Sequence, residues 1–82
     1  MIKRPAKEIL RMARADQKMR QRGQATGGWD FEVDRRHTKR MKEIVRRHGW
    51  PTIQLVGEKA SRDAWLLVQH ADHDVAFQRR CL

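Results

Sequence analysis

The stretch WLLVQHADHD, residues 65–74, decides most of the fold because a continuous apolar run meets a polar end there. Apolar residues from Glu58 onward fall nearly all round a helix, and this spacing predicts a central core helix with Trp65 inside the core. The polar residues that follow this apolar run predict that the helix ends there. Asp is preferred at the start of helices, so Asp74 is predicted to cap a further helix over residues 75–82.

A first helix is predicted near the beginning of the chain. It begins at Pro5, which suits a first helical turn, and runs to about Arg22. Its apolar residues recur at near-helical spacing: Ile9, Leu10, Met12, Ala13 and Met19. Asp16 and Gln17 interrupt this stripe.

A second helix is predicted between two breaks. The stretch GQATGGWD, residues 23–30, indicates a turn or linker in which Trp29 either folds back onto the helix or marks a partner surface. Asp30 caps the helix and Gly49 ends it. WPTIQLVGE, residues 50–58, alternates apolar and polar residues and predicts a short extended connector. The expected fold is therefore an all-α bundle of three to four helices with that connector after helix two.

The length and charge of the chain limit its function. At 82 residues it makes one small domain, because chains of this size bury only about 60% of their unfolded surface. The net charge of +9, from 19 Lys and Arg against 10 Asp and Glu, attracts anions. Candidate anion-binding residues lie on the second helix: Arg35, Arg36, Lys39, Arg40, Arg46 and Arg47.

This basic face favours a binding module for an acidic protein or a nucleic acid as the leading function. The alternative is an ordinary solvated charged face, since Glu8, Glu32 and Glu43 dilute the cations and the spacing fits no helix-turn-helix. Self-association is also a possibility for so small a core.

The cysteine content and the apolar stretches of the sequence predict the cellular compartment of the protein. The single cysteine, Cys81, permits no internal disulfide and favours a reducing compartment. No apolar stretch is long enough for a membrane span, and the first ten residues have no apolar segment typical of a signal peptide. We therefore expect a cytoplasmic protein without a membrane partner.

Four segments carry a resemblance to a known family: DQKMR (residues 16–20), D-x-x-H-T-x-R-M-K-E-I (34–44), HGWPTIQLVGEKAS (48–61) and AWLLVQHADHDVAFQ (64–78). Together they resemble a bacterial family of unknown function, DUF6624. The resemblance implies a helical fold and no assigned activity. Proteins of that family usually continue into a second part with D-R and Y-G-T-Q motifs, which this chain lacks, so it resembles the first part. The family also often has asparagine at the position of His37 and proline at that of Val75.

The polar residues that resemble the family's motif are Asp16, Gln17, Arg20, Asp34, Gln69, His70 and Asp72. If they form an enzyme site, His70 is the general base or acid, and Asp72 or Asp34 is its orienting carboxylate. Arg20 and Gln17 then bind an anionic or carbonyl oxygen. The alternative is a buried polar network that fixes the register of the helices, in which Asp16 and Arg20 pair at i and i+4.

A metal site is a variant of the enzyme hypothesis. His70 and His73 lie three apart, and Asp72, Asp74 and His37 carry further nitrogen and oxygen ligands. The spacing H-A-D-H-D matches no standard metal motif, however. We therefore expect neither a metal nor a cofactor.

Overall fold

The computed structural model of the chain describes residues 2–26 and 30–81. Within these residues the chain is all-α, as predicted. Its helices are α1 (Lys3–Thr26), α2 (Phe31–His48), α3 (Ile53–Val56), α4 (Glu58–Gln69) and α5 (Val75–Cys81). None of these helices is long and apolar enough to cross a membrane.

Helix α1 is longer than predicted and its inner face includes an aspartate. Ile9, Ala13, Asp16 and Met19 are all buried, at spacings of three and four that place them on one face. Asp16 therefore continues the buried stripe instead of interrupting it. Residues 23–26, predicted as a turn, continue the helix. The prediction for Trp29 lies outside the described residues.

Helix α2 has the predicted ends. The carboxylate of Asp30 accepts a hydrogen bond from the backbone N–H of Glu32, at 3.0 Å. At the other end, Gly49 has φ of +77°, a left-handed conformation that favours glycine, and its N–H donates to the carbonyl of Val45. The buried face of α2 includes Val33, Met41 and Ile44.

The predicted extended connector is wrong in its centre, which is the short helix α3. Thr52 begins this helix, because its side chain accepts from the N–H of Leu55. Gly57 ends it with a backbone bond to the carbonyl of Ile53. These two caps outweigh the short alternating pattern, and Ile53 consequently points outward with 61% of its surface exposed.

Helix α4 is central, as predicted. It packs against α1, α2, α3 and α5, and most extensively against α1. Ala64, Leu67 and Val68 are buried in the core. Trp65 is only half-buried, contrary to the prediction, and its ring lies 4.9 Å from that of Trp50 between centroids, tilted by 54°.

The end of α4 is followed by a turn and by α5. Helix α4 ends at Gln69, so Asp72 lies beyond the helix and does not share a helix face with Gln69. Asp74 caps α5 as predicted, because its carboxylate accepts from the backbone N–H of Phe77 at 3.1 Å. Phe77 is buried and Cys81 packs against the same core.

Candidate acid–base site

Four polar side chains that are distant in sequence meet between the helices. Asp16 and Arg20 come from α1, Asp34 from the first turn of α2, and His70 directly follows α4. All four were candidate site residues from the sequence. The structure thus brings these four together out of the larger predicted set.

Helix geometry explains how each side chain reaches the cluster. Asp16 and Arg20 are one turn apart on the inner face of α1, and Arg20 Nε lies 3.6 Å from Asp16 Oδ1. His70 ends α4, and its backbone N–H still donates to the carbonyl of Leu66 at 3.1 Å. The last turn of the core helix therefore fixes where the imidazole ring points.

The shortest contact of the cluster joins His70 to Asp16. His70 Nδ1 lies 2.7 Å from Asp16 Oδ2, and Asp16 is completely buried while a quarter of the His70 side chain (25%) is exposed. The sequence had suggested Asp72 or Asp34 as the carboxylate that orients His70. The structure assigns that contact to Asp16.

Arg20 Nε also lies close to His70 Nδ1, at 3.0 Å. In a neutral ring one nitrogen cannot both donate to Asp16 and accept from Arg20. A hydrogen bond to a carboxylate is charge-assisted and therefore stronger, and the contact with Asp16 is the shorter of the two. We therefore assign the proton to Nδ1, which donates to Asp16 and leaves Nε2 as the acceptor.

Arg20 connects this pair to a second carboxylate. Its Nη2 donates to Asp34 Oδ1 at 3.1 Å, with Oδ2 at 3.4 Å. Burial raises the pKa of Asp34, and the positive charge of Arg20 offsets only part of that effect. Arg20 thus holds the Asp34 carboxyl in place, although burial disfavours the charged form of this side chain.

His37 lies within electrostatic reach of the same cluster. Among the described residues its buried Nδ1 has no hydrogen-bond partner. Burial lowers the pKa of His37, while the carboxylates of Asp16 and Asp34 act in the opposite direction. From the sequence, His37 was a candidate only as a possible metal ligand, with no role in acid–base chemistry.

The remaining predicted catalytic residues lie elsewhere. Gln17 is exposed and lines a groove between α1 and α4 with Leu66. Gln69 is exposed on α4, and the exposed Asp72 accepts a hydrogen bond from Gln78 Nε2 at 3.2 Å. The structure places these three side chains outside the cluster.

Gln78 was missed by the sequence analysis. Besides Asp72, its amide lies within hydrogen-bonding distance of the carbonyls of Val68 and Gln69, at 3.1 and 3.3 Å. It therefore supplies donors to the C-terminal end of α4, where backbone carbonyls lack helical partners. Its position four residues after Asp74 carried no signal for this contact.

The predicted basic face is partly neutralised within the chain. Arg40 binds Glu8 of α1 at 2.6 and 2.7 Å and Glu43 at 2.8 Å. Its hydrogen bond lowers the pKa of Glu8. Arg35 lies 3.5 Å from Glu32. The other predicted anion-binding side chains are exposed: Arg36, Lys39, Arg46 and Arg47.

Possible metal ligands do not converge in the part of the chain that the structure describes. Within residues 2–26 and 30–81, no group of three or more His, Cys, Asp or Glu side chains is arranged to hold a metal ion. His73 is exposed in the turn between α4 and α5. Asp74 is engaged with Lys42 and with the start of α5.

Fold and site together define a small all-α protein with an Asp–His–Arg–Asp cluster between its first, second and fourth helices. Residues 5–82 match the model of a family of unknown function, DUF6624, and the chain belongs to that family. Comparisons with curated proteins and with solved structures return no match.

Proposed function

We propose that this protein is an acid–base catalyst in which Nε2 of His70 takes a proton from a hydroxyl group or a water molecule. The observation that carries the proposal is the 2.7 Å contact between His70 Nδ1 and the fully buried carboxylate of Asp16. A carboxylate in this position fixes the ring, selects the Nδ1–H tautomer and stabilises the imidazolium that forms. His70 is also partly exposed, so a substrate can approach it.

Each neighbour has a positioning role in this chemistry. Asp16 orients His70, and Arg20 lies between the two carboxylates of Asp16 and Asp34. The positive charge of Arg20 balances the buried carboxylate, which would otherwise be strongly destabilising. The attacking hydroxyl or water comes from the substrate or the solvent, so the proposed proton transfer requires no protein nucleophile.

The proposal is tested with p-nitrophenyl acetate, an activated ester whose hydrolysis should be accelerated more by an imidazole that a carboxylate orients than by a freely exposed one. The decisive variant is His70→Asn, because the asparagine amide can still donate to Asp16 but has no base at the position of Nε2. We expect it to lower the protein-catalysed rate by roughly tenfold or more, in line with the usual contribution of a general base. Asp16→Asn is expected to lower the rate as well.

The matched control is His73→Asn, which removes an exposed histidine three residues further along the chain. Its rate should stay within about twofold of the unchanged protein, since an unoriented histidine contributes little. Equal rates for His70→Asn and His73→Asn, with both variants folded by circular dichroism, would overturn the proposal and leave the cluster a structural network.

A second candidate function is the binding of an acidic protein or a nucleic acid by α2. It is supported by the exposed side chains of Arg36, Lys39, Arg46 and Arg47. Such association should weaken with salt and survive His70→Ala. Fluorescence anisotropy with a labelled oligonucleotide and with a labelled acidic peptide, at low and high salt, separates it from the catalytic proposal.

A further inference from the structure

A groove lies between α2 and α5, away from the residues of the acid–base site. Its volume is about 610 Å³, within the range of small-molecule sites. One wall is a stripe along α2 that includes Lys39, Lys42 and Arg46, at the spacing of successive helical turns. The other wall is formed by Phe77, Arg80 and Cys81 of α5, also at helical spacing.

The floor of the groove is apolar. Phe77 is buried, with 2% of its surface exposed, and Val45 and Cys81 are partly buried beside it. Burial raises the pKa of the Cys81 thiol, so this side chain stays neutral at pH 7. The ring of Phe77 is therefore covered, and Val45 and Cys81 carry the accessible apolar surface of the floor that a ligand can contact.

The rim of the groove is cationic. Lys42 is paired with Asp74, and its ammonium lies 5.8 Å from the centre of the Phe77 ring. The Arg80 guanidinium lies 5.9 Å from the same ring centre. Within the described residues, Lys39, Arg46 and Arg80 make no ion pair.

Among the described residues that line the groove, the only acid is Glu43, and Arg40 already binds it at 2.8 Å. The uncompensated charge of the groove is therefore positive. An anionic head group would find cations on both walls, from α2 and from α5.

From this combination we propose that the groove between α2 and α5 binds a small soluble amphiphile, an acyl carboxylate with its chain against Val45 and Cys81, above the buried ring of Phe77, and its carboxylate between Arg46 and Arg80. The size of the site favours this ligand over a macromolecule. Helix α5 has only seven residues and is about 10 Å long, too short to support a partner helix along its length. The groove shares no residue with the acid–base site, so neither proposal depends on the other.

The test uses octanoate as the probe and its neutral analogue 1-octanol as the comparison, both titrated into ¹⁵N-labelled protein. Amide chemical shifts should change along the α2 stripe and in α5, and octanoate should bind at least tenfold more tightly than 1-octanol. The double variant R46Q/R80Q removes two exposed cations and should weaken octanoate binding at least tenfold. The control R62Q removes an exposed arginine of α4 that pairs with Glu58, and should bind octanoate as the unchanged protein does.

Three results would each overturn the groove proposal: shifts centred outside α2 and α5, equal affinity for octanoate and 1-octanol, or unchanged octanoate binding by R46Q/R80Q. The first would place the ligand elsewhere, and the other two would remove the role of the cations. The ester hydrolysis that depends on His70 would be unaffected by any of these outcomes.

Discussion

Among single residues, Asp16 is the one whose charge we expect to affect the stability of the fold most. It is completely buried and its carboxylate faces both Arg20 and His70. A buried charge that loses its partner is strongly destabilising, because neither water nor another group replaces the lost interaction. The stability of the fold should therefore depend on the negative charge at this position.

Asp16→Asn keeps the size of the side chain and removes its charge. We expect the free energy of unfolding, measured with urea at pH 7, to fall by roughly 2–4 kcal/mol because Arg20 then faces a neutral amide. The matched control Asp63→Asn breaks an ion pair with the exposed Lys59 and should cost less than about 1 kcal/mol. Equal losses in the two variants would show that the buried Asp16 charge contributes no more to stability than an ion pair with an exposed lysine.

His37 gives the protein a predictable response to pH. Burial lowers the pKa of His37, so acid protonates this side chain more readily in the unfolded chain than in the folded one. Its contribution to stability is complete above its ordinary pKa of 6.5 and is lost as the pH falls below that value. The loss amounts to about 1.4 kcal/mol for each unit by which the pKa is lowered.

The comparison of urea unfolding at pH 7.5 and at pH 5.5 isolates this effect in the variant His37→Asn. The unchanged protein should lose more stability between the two pH values than the variant does, since the variant lacks the titrating group. Identical losses would assign the acid sensitivity to other groups.

The residues of the site were predictable to different degrees. Asp16 follows Ile9 by seven positions and Ala13 by three, so helical spacing alone places it on the apolar face of α1. The sequence pattern was interpreted as a stripe that Asp16 interrupts, while the alternative of a buried polar network also included this residue. His70, a predicted site residue, lies in the cluster, whereas its carboxylate partner depends on the packing of α1 against α4, which no local pattern encodes.

At the element scale, helix ends were predicted best. Asp30, Gly49 and Asp74 all cap helices as the sequence indicated, because capping depends on a residue's type and its immediate neighbours. Helix α3 was not predicted, because its local signals were either ambiguous or overlooked. A four-residue segment is too short for its apolar pattern to distinguish a helix from a strand, and the Thr52 cap was not considered.

Two substitutions of Asp74 separate its role as the cap of α5 from its role in an ion pair. Asp74 accepts from the backbone of Phe77 and pairs with Lys42. Asp74→Ala removes both interactions, while Asp74→Asn removes the charge and keeps an oxygen that can cap the helix. We expect Asp74→Ala to be less stable than Asp74→Asn in urea unfolding, because only asparagine keeps a side-chain oxygen for the backbone N–H of Phe77. Equal stabilities would mean that the capping hydrogen bond of residue 74 contributes nothing measurable to the stability of α5.

At the scale of the whole molecule, the site depends on contacts between distant parts of the chain. His70 and Asp16 are separated by 54 positions, and Asp34 joins through Arg20 from a third helix. The periodicity of each helix shows which face is buried, but it does not show which faces pack together. The all-α fold and the central position of α4 could therefore be predicted, while the meeting of these four side chains required the structure.

The position of one proton tests the central claim most directly, namely that Asp16 holds His70 with Nε2 available as a base. Two-bond ¹H–¹⁵N correlation spectra of the imidazole rings, recorded in mildly alkaline buffer, distinguish the two neutral tautomers of His70. We expect the Nδ1–H form in the unchanged protein and a shift towards the Nε2–H form in Asp16→Asn. An Nε2–H tautomer in the unchanged protein would contradict it, because Nδ1 would then accept from Arg20 and the ring would have no free basic nitrogen.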